Sequence, residues 1–246
     1  MKKIILLCFA IVFMAGITNA QKKKVAVVTF YVNKHIGFEQ LGGAASLAAG
    51  IASLSEDPNF DLTSVLGDFH DKFFNEYAQA FPFDLLPEAD VVGNEQYQAY
   101  EARSGETEDG DRDKLWQQYL TYEGYKPMRE FIGKKWRNEL RMLEIFGDEV
   151  DGVMFVYMDY AFVKKAAGFG AGIQAYVRMK LWNKEGKKVF SVSEFATSKK
   201  TVPLVAGVPV MKAEKLLPLC IDASEKMMAD LNKKLKKIAA KSAKKL

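Results

Sequence analysis

The order of apolar and polar residues predicts strands near the start and in the second half of the chain. KKKVAVVTFYV (22–32) is an apolar, β-branched run that predicts a buried first strand. DGVMFVYMDYAFV (151–163) predicts another strand, and GIQAYVRMKLW (172–182) alternates apolar and polar residues with period two. KKVFSVSEFATS (187–198) follows a turn in which Gly186 supplies a left-handed position. The last three runs therefore predict an antiparallel meander.

Apolar residues spaced three or four apart predict helices in the rest of the chain. Asp61 is placed to cap one of them and Gly147 to end another. Residues 82–100 are expected to hold a short extended piece before a further helix. The longer predicted helices cover residues 38–58, 61–81, 126–147 and about 215 to the chain end.

Strands joined by short loops, with helices before and after them, are typical of a sheet with helices packed against it. The pattern predicts the α+β class: a mostly antiparallel sheet with flanking helices and a helical insertion at about residues 58–125. With 49% hydrophobic residues, a core can form. A single domain is expected over residues 21–232, with a lysine-rich helix end over 233–246.

Residues 1–20 have the three-part plan of a secretory signal. Lys2 and Lys3 precede an apolar run from Ile4 to Ala15, and small residues end the segment before Gln21. The run is too short to span a bilayer, which takes about 20 apolar residues, and no later segment is long and apolar enough. We therefore expect export to the periplasm or the cell exterior, and a mature chain without a transmembrane segment.

The chain has two cysteines, and neither lies where a lipid anchor would be attached. Cys8 is inside the apolar run of the signal and not directly after its small residues, so lipidation is not expected. Cys220 is the single cysteine that follows the signal, which excludes an intramolecular disulfide. Free cysteine is among the most buried residue types, so Cys220 is predicted to lie in the core.

Charge is spread unevenly over the mature chain. The last fourteen residues hold seven lysines and no acid, whereas acidic residues outnumber basic ones in the rest. The lysines form either a solvated helix end or a surface that docks on anionic envelope components. Nucleic acid is not expected as a partner, because of export and because no aromatic residue lies among the lysines. These candidate interaction residues are Lys233, Lys234, Lys236, Lys237, Lys241, Lys244 and Lys245.

Three glycines in AAGFGAG (166–172) have the spacing G-x-G-x-G. A phosphate-binding loop needs a helix after its glycines, because the free amides of the helix N-terminus hold the anion. A period-two strand follows instead, so the segment is predicted to be a flexible hairpin turn and not a nucleotide site. Phe169 would form an apolar tip for contact with a partner or a membrane surface. The candidate interaction residues here are Gly168, Phe169, Gly170 and Gly172.

No motif in the chain predicts catalysis, a cofactor or a metal site. The acidic stretch from Asp109 has Lys114 and Leu120 where a calcium loop needs glycine and glutamate. His35 and His70 are the only histidines, and neither has a partner at zinc-ligand spacing. A catalytic triad built on either histidine stays open, since geometry and not order defines a triad. A carboxylate pair among the 31 acidic residues also stays open.

The order of KKVAVVTF, EIFGDEVDGVMFVYM and AYVRMKLWNKEGKKVFSVSEF, with a helix after the first and another at the end, resembles the envelope fold of the TolB amino-terminal domain, CsgG and LpoB. Asn183–Val189 is similar to a d-x-x-G-x-x-v hairpin of that family. The resemblance covers about residues 22–56 and 125–240. It implies a mostly non-catalytic protein that binds envelope proteins or assembles into export complexes, with no catalytic residues to carry over.

These patterns predict an exported, non-enzymatic interaction or assembly protein of the cell envelope. Exposed sheet edges, the glycine-rich tip and the lysine-rich helix end would contact envelope proteins or an anionic surface. The first alternative is a small-molecule or glycan-binding protein with a cleft between the sheet and the insertion. A hydrolase that uses two carboxylates is the third candidate, and the oligomeric state stays open.

Overall fold

The structure, a computed structural model, describes residues 22–38, 40–41, 54, 57–102, 118–130, 137–165, 170–205, 207–209, 212–239 and 246, with side chains of the last helix up to residue 235. An eight-stranded mixed sheet forms its centre. The strands are β1 (Lys24–Gly37), β2 (Asp84–Leu85), β3 (Tyr119–Thr121), β4 (Gly152–Lys164), β5 (Gly170–Asn183), β6 (Lys188–Thr197), β7 (Val202–Val205) and β8 (Val208–Pro209). The helices are α1 (Thr63–Lys72), α2 (Glu88–Val92), α3 (Glu95–Ala99), α4 (Asn138–Phe146) and α5 (Ala213–Ala239).

The four long strands lie in the order β1–β4–β5–β6. β5 is antiparallel to both β4 and β6, as predicted, whereas β1 is parallel to β4. β2 and β3 pair with the other side of β1, β7 pairs with the start of β5, and β8 pairs with β7. The α+β class with a mostly antiparallel sheet and flanking helices is confirmed.

One face of the sheet, here called the helix face, is covered by α1 and α5. Phe69 of α1 lies with its ring centroid 4.9 Å from that of Phe30 in β1. The Tyr160 hydroxyl of β4 is 2.8 Å from Ser224 Oγ of α5. The period-two pattern of β5 is confirmed, because its helix-face side chains are all fully buried: Ile173, Ala175, Val177, Met179 and Leu181.

The opposite face, here called the second face, is covered at one end by the start of α4. The Arg137 guanidinium lies 5.8 Å from the centroid of the Trp182 ring. Gly147 is the C-cap of α4, as predicted. Gly186 has φ +66° in the β5–β6 turn, which confirms the predicted left-handed position.

The helix predicted over residues 126–147 is shorter than expected, because residues 125–130 are not helical. Thr29 Oγ1 donates to the Lys126 carbonyl at 2.6 Å, and the Lys126 amide donates to the Tyr97 hydroxyl at 2.9 Å. The contact from Thr29 uses the Lys126 carbonyl, which a helix that began here would pair internally. The segment therefore crosses the second face as a strap before α4 begins.

The helix predicted over residues 61–81 changes form along its length. α1 continues as a π-helical turn over Phe73–Tyr77 and a 3-10 turn over Ala78–Ala80. The Asp61 carboxylate accepts the Thr63 amide at 2.8 Å, but the N-cap residue itself is Leu62, so the predicted cap is displaced by one residue.

Residues from the expected insertion join the same core as the rest of the chain. β2 and β3 extend the sheet beside β1. Tyr97 of α3 is buried, and its hydroxyl donates to the Val28 carbonyl at 3.0 Å. Most of the helix predicted over residues 38–58, and the acidic stretch from Asp109, lie outside the described residues.

Candidate functional site

A cleft of about 420 Å³ lies on the second face, between the sheet, β3 and the strap that precedes α4. We call it the arginine cleft. The side chains that define it are Asn33, Tyr119, Arg129, Asp159, Tyr176 and Arg178.

The register of the sheet brings these side chains together from five parts of the chain. Asp159 of β4 is directly opposite Tyr176 of β5, and Arg178 is opposite Tyr157. Residues directly opposite on neighbouring strands project from the same face. Asn33 of β1 is paired in the same way with Tyr119 of β3. The strap adds Arg129, so the cleft depends on the non-helical course of residues 125–130.

Asp159 is the single acid among the described residues of the cleft, and three side chains hold its carboxylate. Arg129 Nη2 donates to Oδ1 at 3.0 Å, and Asn33 Nδ2 donates to the same oxygen at 3.3 Å. Arg178 Nε lies 3.6 Å from Oδ2. The Asp159 side chain is 15% exposed, whereas each arginine side chain is 44% exposed. One carboxylate faces two guanidinium groups, which leaves the cleft with a positive balance.

Tyrosines form the floor behind this charged group. The rings of Tyr31 and Tyr157 are stacked, with centroids 5.2 Å apart and an interplanar angle of 4°. Burial raises the pKa of Tyr157 to about 12 and that of Tyr31 well above its usual value, so both hydroxyls are protonated at neutral pH. Burial disfavours the charge on Arg129, but neighbouring Tyr31 and Asp159 raise its pKa. Its guanidinium therefore stays charged.

A second acid lies close to the cleft but is already paired. Glu130 is buried, and its carboxylate forms an ion pair with Lys180 Nζ. The Tyr157 hydroxyl lies 3.4 Å from the same carboxylate. The described lining of the cleft thus offers one carboxylate, Asp159, and not the facing pair that the hydrolase hypothesis requires.

A larger cleft, of about 600 Å³, lies at the opposite end of β1 and β4. Its charged residues form ordinary surface ion pairs: Lys22 Nζ is 3.1 Å from Asp84, and Lys23 Nζ is 3.1 Å from Asp151. Aromatic residues are not among its described lining. The arginine cleft is therefore the better candidate for ligand recognition.

β6 forms an edge of the sheet, since none of the described strands pairs with its outer side. Ser198 N donates to the Ile173 carbonyl at 2.8 Å, which continues the β5–β6 register as a hydrogen-bonded pair. Bonded and non-bonded pairs alternate along an antiparallel ladder. Val192 lies an even number of residues before Ser198, so it also directs its N–H and C=O toward β5. The residues whose backbone groups point outward, here called the β6 edge, are Ser191, Ser193 and Phe195.

The β6 edge adjoins the arginine cleft and ends at α5. Phe195 is 55% exposed, and its ring centroid lies 5.9 Å from that of Tyr176 in the cleft. The carbonyl of Thr197, the next outward residue, accepts Lys226 Nζ at 3.3 Å. The edge and the cleft thus form one continuous surface.

Two of the glycines expected in an exposed turn have a different position. Gly170 and Gly172 are buried residues within β5, which corrects their assignment to the tip. A Cβ at Gly172 would lie 2.7 Å from Cε of Lys165, which is the flexible end of that side chain. The strand predicted after the glycine-rich segment is confirmed, and it begins at Gly170. Gly168 and Phe169 lie outside the described residues.

Two of the candidate lysines are described with their side chains on α5. Lys233 pairs with Asp230 at 3.0 Å, and Lys234 pairs with Glu194 of β6 at 2.8 Å. The hydrogen bond that Lys234 donates to Glu194 raises the pKa of Lys234. The structure does not describe the side chains of the others: Lys236, Lys237, Lys241, Lys244 and Lys245.

The remaining candidates for chemistry lie apart from one another. Cys220 is buried, as predicted, and burial raises the pKa of its thiol. His70 is buried on the helix face, with Nε2 2.8 Å from Glu88 and its ring stacked on that of Tyr122. His35 lies at the rim of the arginine cleft. Within the described residues no cluster of three or more histidine, cysteine or acidic side chains is placed to hold a metal ion.

None of the six cleft residues belongs to a motif that predicts a site from the sequence. Their only local signal is the alternation in β5, which places Tyr176 and Arg178 opposite the buried side chains. Asn33, Arg129 and Asp159 come from three other segments, and no spacing in the sequence connects them.

No protein-family model matches the chain, and no curated protein matches it. In the part of the chain that the structure describes, no helix combines the length and the apolar content needed to cross a bilayer.

Proposed function

We propose that the protein is an exported, non-enzymatic interaction or assembly module of the cell envelope, which binds an extended segment of an envelope protein along the β6 edge. The observation that carries the proposal is the outward direction of backbone groups at Ser191, Ser193 and Phe195. Unpaired edge groups are a template for an added strand, and main-chain hydrogen bonds supply affinity in that mode of recognition. Phe195 would give an apolar contact beside them.

Export to the periplasm or the cell exterior is part of this proposal and is supported by the secretory-signal plan of residues 1–20. The resemblance to the TolB amino-terminal domain, CsgG and LpoB supports the same class of function. In this proposal the lysine-rich end of α5 contributes a weaker attraction to anionic envelope components. Lys233 is 75% exposed, which leaves it accessible to such a surface.

The alternation of backbone direction in β6 provides a sharp test. Proline at position 193 removes an outward N–H and leaves the ladder with β5 intact, whereas Ser193→Ala keeps that N–H. A photo-crosslinking residue would replace Phe195 in the full chain, expressed with its signal. We expect an adduct with a discrete envelope protein in the Ser193→Ala background and its loss in the Ser193→Pro background.

Stability measurements on the same strand serve as the control. Val192→Pro removes an inward N–H of the ladder at a buried position and should lower the free energy of unfolding much more than Ser193→Pro. A Ser193→Pro variant that is folded and still forms the adduct would refute the edge-strand proposal. An adduct between two copies of this chain would also refute it, in favour of self-association.

A further inference from the structure

We propose that the arginine cleft binds the carboxylate of an acidic sugar, which is a second binding site beyond the strand pairing proposed for the β6 edge. The cleft combines two arginine guanidinium groups, two aromatic side chains and several amide groups in a concavity of about 420 Å³. That volume is in the range of small-ligand sites, about 300–1,000 Å³. Each part of this combination corresponds to one part of a uronic acid.

The charge of the cleft matches a monoanion. Arg129 and Arg178 both contact Asp159, so the described residues that line the cleft keep one positive charge after the carboxylate is counted. Both arginine side chains are 44% exposed, although they share the carboxylate of Asp159, whose side chain is 15% exposed. A guanidinium group has five N–H donors. Among the described residues Arg178 approaches Asp159 only through Nε, so its terminal nitrogens are available to a second carboxylate.

Asp159 also favours a carboxylate over a phosphate group. A phosphate monoester carries a charge of about −1.5 to −2 at neutral pH. The negative charge of such a ligand would exceed the one positive charge that remains in the cleft, and the excess would be repelled by Asp159. A carboxylate carries a single negative charge and fits the planar guanidinium fork with two parallel hydrogen bonds.

The walls of the cleft fit a hydroxylated ring. Tyr119 and Tyr176 lie at its sides, and an aromatic ring offers an apolar surface against which the C–H face of a sugar can pack. Amide side chains of Asn33, Gln40 and Gln118 also line it. An amide has both donors and acceptors, which is the capacity that sugar hydroxyl groups need. Asn33 already donates to Asp159 at 3.3 Å and accepts the His35 amide at 2.9 Å, so the amides would serve the ligand through their remaining hydrogen-bonding capacity.

The test is calorimetric titration of the full mature chain with galacturonate, with a galacturonate trimer and with the neutral galactose trimer. We expect both acidic ligands to bind and the neutral trimer to bind at least tenfold more weakly. If the monomer binds as tightly as the trimer, the ligand is a free acidic sugar. If the trimer binds more tightly, it is an acidic polysaccharide. Both outcomes support the proposed site.

Arg178→Gln removes the charge of the guanidinium group and keeps a side chain that can donate hydrogen bonds. We expect it to weaken binding of the acidic trimer at least tenfold. Arg141→Gln is the matched control, because Arg141 is an exposed arginine on α4 that pairs with Glu144 at 2.6 Å, and it should bind like the parent. Tyr176→Ala tests the ring wall separately and should weaken binding of both trimers.

Equal binding of the acidic and neutral trimers by the parent protein would overturn the proposal, and this comparison needs no variant that has to fold. Folded Arg178→Gln protein with unchanged affinity would overturn it as well. The absence of a heat of binding with all three sugars would also overturn it. Because Arg178→Gln leaves the outward backbone groups of the β6 edge in place, that variant should still form the adduct with the envelope protein, so failure of either proposal can be seen independently of the other.

Discussion

The two sides of β5 differ as much as a core and a binding surface, although they alternate residue by residue. On the helix face, Val177 and Met179 are fully buried under α5. On the second face, Arg178 between them is 44% exposed and belongs to a group of charged and aromatic side chains. On the helix face a side chain contributes through its volume and its fit with neighbours. The Arg178 side chain on the second face contributes charge and hydrogen-bond donors, which a ligand can use.

The largest effect is expected from a cavity on the helix face. Met179→Ala should lower the free energy of unfolding by about 2–5 kcal/mol, because the buried side chain leaves space that the packed sheet and helix fill only in part. Arg178→Gln, one residue away, should cost less than about 1 kcal/mol, since its ion pair is half exposed and long. Urea unfolding of both variants measures the difference. Equal losses would contradict the division between the two faces.

A smaller loss is expected from the polar pair on the helix face. Tyr160→Phe removes the hydroxyl that lies 2.8 Å from Ser224 Oγ and should cost about 1–3 kcal/mol, because the buried serine keeps only the weak contact with the Met158 sulfur at 3.4 Å. The double variant with Ser224→Ala should be destabilised by less than the sum of the two single variants. Strict additivity in the same unfolding measurements would show that the pair contributes no coupling.

Local patterns predicted the helix face well, because its determinants repeat every second residue within one strand. The alternation from Ile173 to Leu181 was sufficient to identify the buried side of β5. The hairpin at Gly186 and the final helix were predictable for the same reason. Each of these elements depends on neighbours within a few residues.

The arginine cleft could not be predicted in this way, because it depends on contacts between distant segments. Residues 126–130 have helical spacing, yet Thr29 and Tyr97 bind the backbone of Lys126 and hold the strap across the sheet. The parallel pairing of β1 with β4 likewise joins strands that are far apart in sequence. Neither contact leaves a periodic signal in the sequence. Contacts between distant segments therefore determine the structure here, although the local spacing favours a helix.

The smallest effect on stability is expected at the most exposed aromatic residue of the second face. Phe195 faces Tyr176 across the β5–β6 ladder, and such an aromatic pair contributes about 0.2–1 kcal/mol. Phe195→Ser should therefore change the free energy of unfolding by no more than that, although it replaces a large apolar side chain.

A binding measurement would distinguish the role of Phe195 from that of Met179. Phe195→Ser should weaken capture of the partner at the β6 edge, while a folded Met179→Ala variant should keep it, because Met179 lies on the other side of the sheet. Unfolding curves and capture yields for the two variants provide the measurement. A loss of several kcal/mol in Phe195→Ser with unchanged capture would reverse the roles of the faces, since the second face would then stabilise the fold and recognition would have to lie elsewhere.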